Sequence, residues 1–249
     1  MENAELLRRA EDLANRCERK NTLTCAGFFT PAECYTLRQW LNTRPEPLAL
    51  LFGGKDECER QMLFFFPEYL EPDNFDFSEY FRAVKIKSYF GSPSHRDYLG
   101  AILNLGIRRE SLGDLFVRED TAWLYCLPAV VPVLTEELTR VGRCSVKAAE
   151  CALDEVPAPE RKVRPVSFTV KSPRLDAVVS GMFGVSRSTA ADAIRLGLVA
   201  LNYSPCEKPD AGIKEGDTIS FRGHGKGTIA ADGGRSRKDR IFINAEIYE

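Results

Sequence analysis

The 249-residue sequence predicts an α+β protein made of three small modules. Three observations support this class. Apolar residues recur at helical spacing in some segments and alternate in others, so helices and strands both occur. A middle segment, residues 83–152, has the order strand, helix, strand, strand, helix, strand. A proline-rich, charged stretch at 154–165 then separates this segment from a third module at 166–249.

The first module, residues 1–80, is predicted to be a small α/β unit. Apolar residues form one stripe along segment 3–19, as in an amphipathic helix. The run Thr30-Pro31-Ala32-Glu33 is a capping box with proline in the first turn, so a second helix should begin there. Apolar runs at 48–52 and 62–66 predict two strands. We assign no chemistry to this module.

The second module, residues 83–152, has the elements of a split βαβ unit. One helix should begin behind Ser94 and stop at Gly106, and another should begin near Pro132 and end at Gly142. Strands are predicted at 83–89, 114–117, 122–126 and 143–148. This βαββαβ order is typical of ferredoxin-like folds and of RNA-recognition-motif (RRM) folds.

Trp123 and Tyr125 alternate on one predicted strand of this module and therefore share a face. Aromatic residues in such a position can stack RNA bases, but the aromatic signature of a true RRM is absent. Residues of this kind are more often part of a core. The sequence leaves both interpretations open.

The third module, residues 166–249, should open with two short helices. Pro173 marks the start of the first helix. Ser186 caps the second, and Gly197 is placed to end it in a left-handed conformation. Strands are predicted at 198–201 and 218–222.

Charge is distributed unevenly along the chain. Residues 1–160 carry 19 Lys/Arg and 26 Asp/Glu, whereas residues 161–249 carry 15 Lys/Arg and 10 Asp/Glu. A basic end on an acidic body favours contact with a polyanion. Uneven chance explains the same numbers equally well, so charge alone decides nothing.

Composition argues against several classes of protein. No apolar run approaches the roughly 18 residues that a membrane helix needs, and the charged start, MENAELLRRA, lacks the apolar centre of a signal peptide. The eight cysteines are scattered without a Cys-x-x-Cys pair, and only two histidines accompany them. We therefore expect a cytoplasmic protein with no membrane partner, reduced thiols, no metal site and no cofactor.

The second helix of the third module carries cations at defined places. Arg187, Ala191 and Arg195 are spaced by four residues and so lie on one helical face. The two arginines should be roughly 12 Å apart along the axis, and the small alanine between them admits a close partner. The free N–H groups of the helix start add partial positive charge beside Arg187.

Together these groups predict a phosphate-binding surface, with Arg174 from the preceding helix as a third cation. The candidate ligands are Arg174, Ser186, Arg187, Ser188 and Arg195. We expect the side chains of Arg187 and Arg195 to be exposed. The alternative is a solvated helix face with an ordinary serine cap.

The same segment resembles a known domain. The stretch RLDAVVSGMFGVSRSTAADAIRLGLVALN, followed by IKEGDTISFRGHGKG, is similar to the S4 RNA-binding domain. The matching positions are Arg174-Leu175-Asp176, Ser186-Arg187, Ile194, Gly197-Leu198-Val199, Asn202 and Gly216-Asp217. Tyr203 departs from the pattern, because glycine is usual there. The resemblance implies RNA binding and adds Asn202 and Lys226 to the candidate site, although a solvated hairpin tip would account for Lys226 as well.

A second resemblance reaches further upstream. Residues 94–117, SHRDYLGAILNLGIRRESLGDLFV, resemble the central segment of the bacterial YlmH family. That family combines an N-terminal domain, an RRM-like middle domain and a C-terminal S4 domain. The resemblance implies association with the large ribosomal subunit through structured rRNA, and in some members rescue of stalled translation with a peptidyl-tRNA still bound. We expect a monomer when the protein is off the ribosome.

The triplet His95-Arg96-Asp97 occurs in kinase catalytic loops, but here no Gly-rich loop precedes it and no Asp-Phe-Gly follows. We therefore predict no catalytic residues in it. A second, ribosome-facing patch is a better hypothesis, and its members are His95, Arg96, Arg108 and Arg109. Helix capping and ordinary surface charge are the alternative.

An RNA-modifying enzyme with an accessory S4 domain, either a pseudouridine synthase or an rRNA methyltransferase, is the competing function. A methyltransferase needs a Gly-rich turn after a first strand, and Gly53-Gly54 is the one candidate, in a module that is too short. We therefore predict that the protein is not an enzyme. Incubation of rRNA with the protein and S-adenosylmethionine discriminates between the two functions.

Overall fold

The computed structural model describes residues 3–158, 162–235 and 240–248. The chain forms two compact units, Met1–Pro159 and Glu160–Glu249. Helices and strands occur in both units, as the α+β prediction required. None of the described helices is long and apolar enough to cross a membrane.

The first unit begins with two helices beside a small antiparallel sheet of order β1-β3-β2. Its elements are α1 (Asn3–Lys20), β1 (Thr24–Phe29), α2 (Pro31–Leu41), β2 (Ala49–Phe52) and β3 (Gln61–Phe65). The predicted capping box is confirmed, since Glu33 N–H donates to Thr30 Oγ1 and Thr30 N–H donates to the Glu33 carboxylate. The sequence did not predict β1, because its short run TCAGFF has apolar residues at neighbouring positions and so little apolar–polar alternation.

The same unit continues into a five-stranded antiparallel sheet of order β5-β6-β4-β8-β7. Its elements are β4 (Arg82–Ser88), α3 (His95–Leu103), β5 (Leu112–Arg118), β6 (Thr121–Cys126), α4 (Val131–Glu137), β7 (Arg140–Val141) and β8 (Cys144–Cys151). The prediction that the helix begun near Pro132 ends at Gly142 is wrong. The helix ends at Glu137, and Gly142, with φ 58°, lies in the turn between β7 and β8. The buried Val141 lies in β7. The prediction failed because the spacing of apolar residues alone fits either a helix or a strand.

The two faces of the five-stranded sheet are covered differently. Val84 and Ile86 of β4 point to one face and pack with Tyr98 and Ile102 of α3. The other face meets the small sheet through an aromatic cluster whose fully or almost fully buried members are Phe28, Phe64, Phe66, Phe81 and Tyr125. The first two predicted modules therefore share a core within one unit.

Tyr125 belongs to that core. Its side chain is 0% exposed, its ring lies edge-on to Phe81 with centroids 5.8 Å apart, and its hydroxyl donates to Leu153 O at 3.2 Å. Of the two aromatic residues for which base stacking stayed open, Tyr125 is thus unavailable to RNA. Trp123 is half-buried.

The second unit packs two helices against a six-stranded sheet of order β11-β10-β12-β13-β14-β9. Its elements are β9 (Val163–Val170), α5 (Leu175–Phe183), α6 (Arg187–Arg195), β10 (Val199–Leu201), β11 (Ser204–Pro205), β12 (Thr218–Phe221), β13 (Gly225–Arg235) and β14 (Ile241–Tyr248). Strand β9 begins inside the stretch that the sequence predicted to be a linker. Pro165 suggested a linker there, but β9 is an edge strand paired with β14 alone, and an edge tolerates proline.

All eight cysteines are free thiols, four of them buried and four partly buried. Burial raises the pKa of Cys34 to about 11 and that of Cys126 to about 12. These two side chains therefore behave as core residues in the thiol form at neutral pH.

Candidate functional site

The start of α6 is built as the sequence predicted. Thr189 N–H donates to Ser186 Oγ at 3.1 Å, and Ser188 Oγ lies 2.9 Å from the same oxygen. Ser186, Arg187 and Ser188 are exposed. Two hydroxyls and the first backbone N–H groups of the helix thus lie together at the surface, in the arrangement that binds anions.

The central residue of the site is one that the sequence analysis did not select. The Asp176 carboxylate, only 7% exposed, accepts hydrogen bonds from Arg174 Nε at 3.2 Å and from Arg187 Nε at 3.0 Å. It also accepts a bond from Ala177 N–H at 2.8 Å. Burial alone would raise the pKa of Asp176, but the hydrogen bonds and charges of the two arginines outweigh burial and lower it.

We call Arg174, Arg187 and Asp176 the Asp176 cluster. The cluster carries two positive charges and one negative charge. The side chains of Arg174 and Arg187 are 41% and 56% exposed, so each guanidinium keeps donors that face solvent. The buried carboxylate fixes the orientation of both. The motif Arg174-Leu175-Asp176 was the available signal for this role, although nothing in it revealed that Asp176 is buried.

Arg187 and Arg195 are both exposed, as predicted, but their side chains have different partners. Arg187 is hydrogen-bonded to a buried group, whereas Arg195 forms an exposed pair with Asp192, three residues earlier, at 2.9 Å. An exposed pair of this kind contributes little to stability and exchanges readily for another anion. Arg195 is therefore the freer cation of the helix face, and Arg187 is a structural residue as well as a surface cation.

The structure gives Asn202 a structural role that the sequence did not predict. Its side chain is buried, its Nδ2 donates to Asp217 Oδ1 at 2.9 Å, and its Oδ1 accepts a bond from Thr218 N–H at 2.9 Å. Its φ of 50° also lies in the left-handed region that asparagine tolerates in turns. The residue holds the turn between β10 and β11 against β12.

Tyr203, the departure from the S4 pattern, takes the glycine position with φ 67°. Its ring lies under Lys226, whose Nζ is 4.6 Å from the ring centroid and 5.6 Å from that of Tyr248. Lys226 is half-buried. The tyrosine thus contributes a cation–π contact that positions this candidate cation, which a glycine cannot do.

The second predicted patch also contains both exposed residues and a residue whose side chain is bonded within the fold. His95 and Arg96 are exposed in the first turn of α3, and the side chain of Arg108 is 78% exposed. Arg109 is a structural residue, since its Nη1 donates to Leu112 O at 3.0 Å and to Gly113 O at 3.2 Å. Burial lowers the pKa of Arg109 to about 10. Arg109 was placed in the patch because sequence alone does not distinguish it from Arg108.

Asp97, the third residue of the triplet beginning at His95, caps α3. Asp97 Oδ2 accepts bonds from Ser94 N–H at 2.9 Å and Ser94 Oγ at 2.7 Å, and these bonds lower the pKa of Asp97. Among the residues that the structure describes, no group of three or more His, Cys, Asp or Glu side chains is arranged to hold a metal ion.

Models of known protein families match segments in both units. Residues 173–219 match the S4 domain, and residues 72–155 match the model described as "Putative RNA-binding domain in YlmH". A curated relative from Bacillus subtilis, "Ribosome-associated protein quality control protein P2", is 32% identical over 194 residues, which cover 78% of this chain and 76% of the relative. The chain belongs to the YlmH family.

A solved structure supports the fold of the YlmH family for this chain. "Cell division protein ylmH from Streptococcus pneumoniae" aligns with a TM-score of 0.52 at 20% identity, covering 62% of this chain and 94% of that chain. The Asp176 cluster lies within the matched S4 residues. The family resemblance stated from the sequence is confirmed.

Proposed function

We propose that this protein binds structured RNA of the large ribosomal subunit through its S4 domain, in the quality control of stalled ribosomes. The observation that carries the proposal is the Asp176 cluster, which presents Arg174 and Arg187 beside the exposed start of α6. Guanidinium groups with fixed orientation bind phosphate oxygens more specifically than freely rotating cations.

The geometry suits an RNA backbone. The helix N-terminus and the hydroxyls of Ser186 and Ser188 supply neutral donors next to Arg187, and Arg195 supplies a cation two turns further along the same helix. This spacing of roughly 12 Å lets the face contact more than one phosphate. Lys226, held over two tyrosine rings, is a further proposed backbone contact.

The printed name of the Bacillus relative, which includes ribosome association and quality control, supports the ribosomal role. The large subunit as the partner, contact with a bound tRNA, rescue of stalled translation, a monomeric state off the ribosome and a cytoplasmic location are parts of the proposal. His95, Arg96 and Arg108 form its second ribosome-facing patch, without Arg109.

We also propose three modules, with a ferredoxin-like or RRM-like middle module. The strand order β5-β6-β4-β8 supports it, because a split βαβ unit places its first and third strands at the centre and all neighbours antiparallel. The core that this module shares with the small N-terminal sheet is compatible with two modules that fold together.

Sedimentation of the full-length protein with purified large subunits tests the proposal. We expect co-sedimentation at low salt that is lost as salt rises, and we expect Arg187→Gln/Arg195→Gln to reduce it strongly. The matched control is Arg16→Gln/Lys20→Gln, which removes two exposed cations from α1. Protein found only in the ribosome-free fraction at low salt contradicts the proposal.

A further inference from the structure

The outer face of β4 carries side chains that the proposed S4 site does not use. Val84, Ile86 and Ser88 alternate toward the helices and are buried, so Lys85 and Lys87 point to the opposite face. The ladder continues one residue further, since Tyr89 N–H donates to Ser145 O at 3.0 Å. Tyr89 is 57% exposed.

The strand register places three cations side by side on that face. Lys87 lies directly opposite Lys147 of β8, and Lys85 lies directly opposite Trp123 of β6. Lys87 and Lys147 are exposed. We call Trp123, Lys85, Lys87, Lys147 and Tyr89 the sheet strip.

The Lys87–Lys147 pair does not favour the fold. Like charges directly opposite each other on an antiparallel pair are destabilising, and such positions ordinarily carry opposite charges or apolar side chains. Among the described residues, no carboxylate forms an ion pair with either lysine. Asp120, in the neighbouring hairpin turn, accepts a bond from Thr121 Oγ1 at 2.7 Å. A bound anion would relieve the repulsion.

Aromatic rings lie at both ends of the strip. Lys85 Nζ is 5.8 Å from the ring centroid of Trp123, which is half-buried, and Tyr89 follows the end of β4, four residues after Lys85. At about 3.3 Å per residue, the two ends are roughly 13 Å apart along the strand. Trp123 also packs against the aromatic cluster that covers part of this face, so the exposed Lys87 and Lys147 lie between the half-buried Trp123 and the exposed Tyr89.

We infer that the sheet strip is a second RNA-binding site, specific for unpaired nucleotides. Lysines bind backbone phosphates without sequence preference, and rings stack on bases that a duplex keeps hidden. The strip adds to the function proposed above and does not use the S4 arginines. An experiment can therefore contradict the S4 proposal without contradicting the strip, and the reverse.

The test uses the full-length protein with two labelled RNAs, a 12-nucleotide oligouridylate and a fully paired hairpin, in fluorescence anisotropy at several salt concentrations. We expect Lys87→Gln/Lys147→Gln to lower the slope of log K against log salt for oligouridylate by about 1.4, at about 0.7 per phosphate contact. We expect Tyr89→Ala to weaken oligouridylate binding at least about fivefold, from the stacking of one base. Hairpin affinity should change less than twofold.

Matched controls come from the same unit. Arg16→Gln/Lys20→Gln removes equal charge from α1, and Tyr69→Ala removes a ring that is 64% exposed outside the strip. In a Trp40→Phe background Trp123 is the sole tryptophan, and oligouridylate should quench its fluorescence. This readout does not depend on the S4 domain.

Strip variants that match their controls in slope and affinity, or an absence of Trp123 quenching, overturn the inference. Loss of ribosome co-sedimentation with unchanged oligouridylate binding overturns it too, since the strip then contacts protein. Loss of hairpin binding in Arg187→Gln/Arg195→Gln with oligouridylate binding retained supports two separate sites. If that variant binds the hairpin normally, the S4 proposal fails while the strip stands.

Discussion

The Asp176 cluster and the sheet strip both carry closely spaced cations, but the protein holds them differently. In the cluster, two arginines share hydrogen bonds to one buried carboxylate. In the strip, Lys87 and Lys147 face each other across two strands, and the described residues supply no ion-paired carboxylate. The first arrangement supports the fold, and the second opposes it.

This difference separates two ways of presenting positive charge. Arginines fixed by a buried carboxylate lose little entropy on binding, but their removal also affects stability. Exposed lysines on a sheet face have no such buried partner, so their removal should change binding far more than stability. Paired measurements of stability and RNA affinity therefore distinguish the two regions.

The largest expected effect is in the cluster. Asp176→Asn keeps the acceptor for Ala177 N–H but removes the charge that two arginines contact. We expect the free energy of unfolding to fall by about 2 kcal/mol, less than for a fully buried pair because both arginines are partly exposed. Urea denaturation followed by circular dichroism measures this change. Lys87→Gln/Lys147→Gln should alter stability by less than about 0.5 kcal/mol, and equal losses in both variants would remove the distinction.

A second prediction compares two arginines on one helix. Arg187→Ala should cost about 1 kcal/mol of stability, because Asp176 loses one of its hydrogen-bonded partners. Arg195→Ala removes an exposed pair and should cost less than about 0.5 kcal/mol. Each should lower the salt slope for structured RNA by about 1. If Arg187→Ala lowers the thermal midpoint but leaves the salt slope for structured RNA unchanged, Arg187 has only a structural role.

The smallest effect has the opposite sign. Lys147→Glu places opposite charges across β4 and β8, so it should raise the free energy of unfolding by about 0.2 to 1 kcal/mol. The same change should weaken oligouridylate binding. Lys20→Glu on α1 serves as the control, measured by the same denaturation. A loss of stability in Lys147→Glu would show that the two lysines do not repel each other in the folded state.

Prediction from the sequence succeeded best where a structure depends on near neighbours. The caps at Thr30, Ser94 and Ser186 are confirmed because each joins groups three residues apart. Prediction failed for strands whose position depends on packing against residues that are distant in the sequence. Strand β1 has apolar residues at neighbouring positions and so little alternation. Strand β9 alternates only from Val166 to Val170, and its first residues, with Pro165, read as a linker although the strand is an edge strand that accommodates proline.

In the candidate site, too, local features were predicted and features that depend on tertiary contacts were not. The sequence identified α6, its cap and its cations, and the resemblance of its motifs identified the family. It did not distinguish Arg109 and Asn202, whose side chains are engaged inside the fold, from Arg108 and Arg195, which are exposed. Arg108 and Arg109, for example, are neighbours of the same type and differ only in what lies against their side chains.

The sequence by itself determined the α+β class, the capped helices and the family, because caps, turns and motif spacing are set by interactions within a few residues. Only the tertiary structure decided which cations serve the fold and which face solvent. Arg187 meets Asp176 across 11 residues, and Lys87 meets Lys147 across 60 through strand register. The physical reason is that register and burial follow from packing the whole core, which no local pattern encodes.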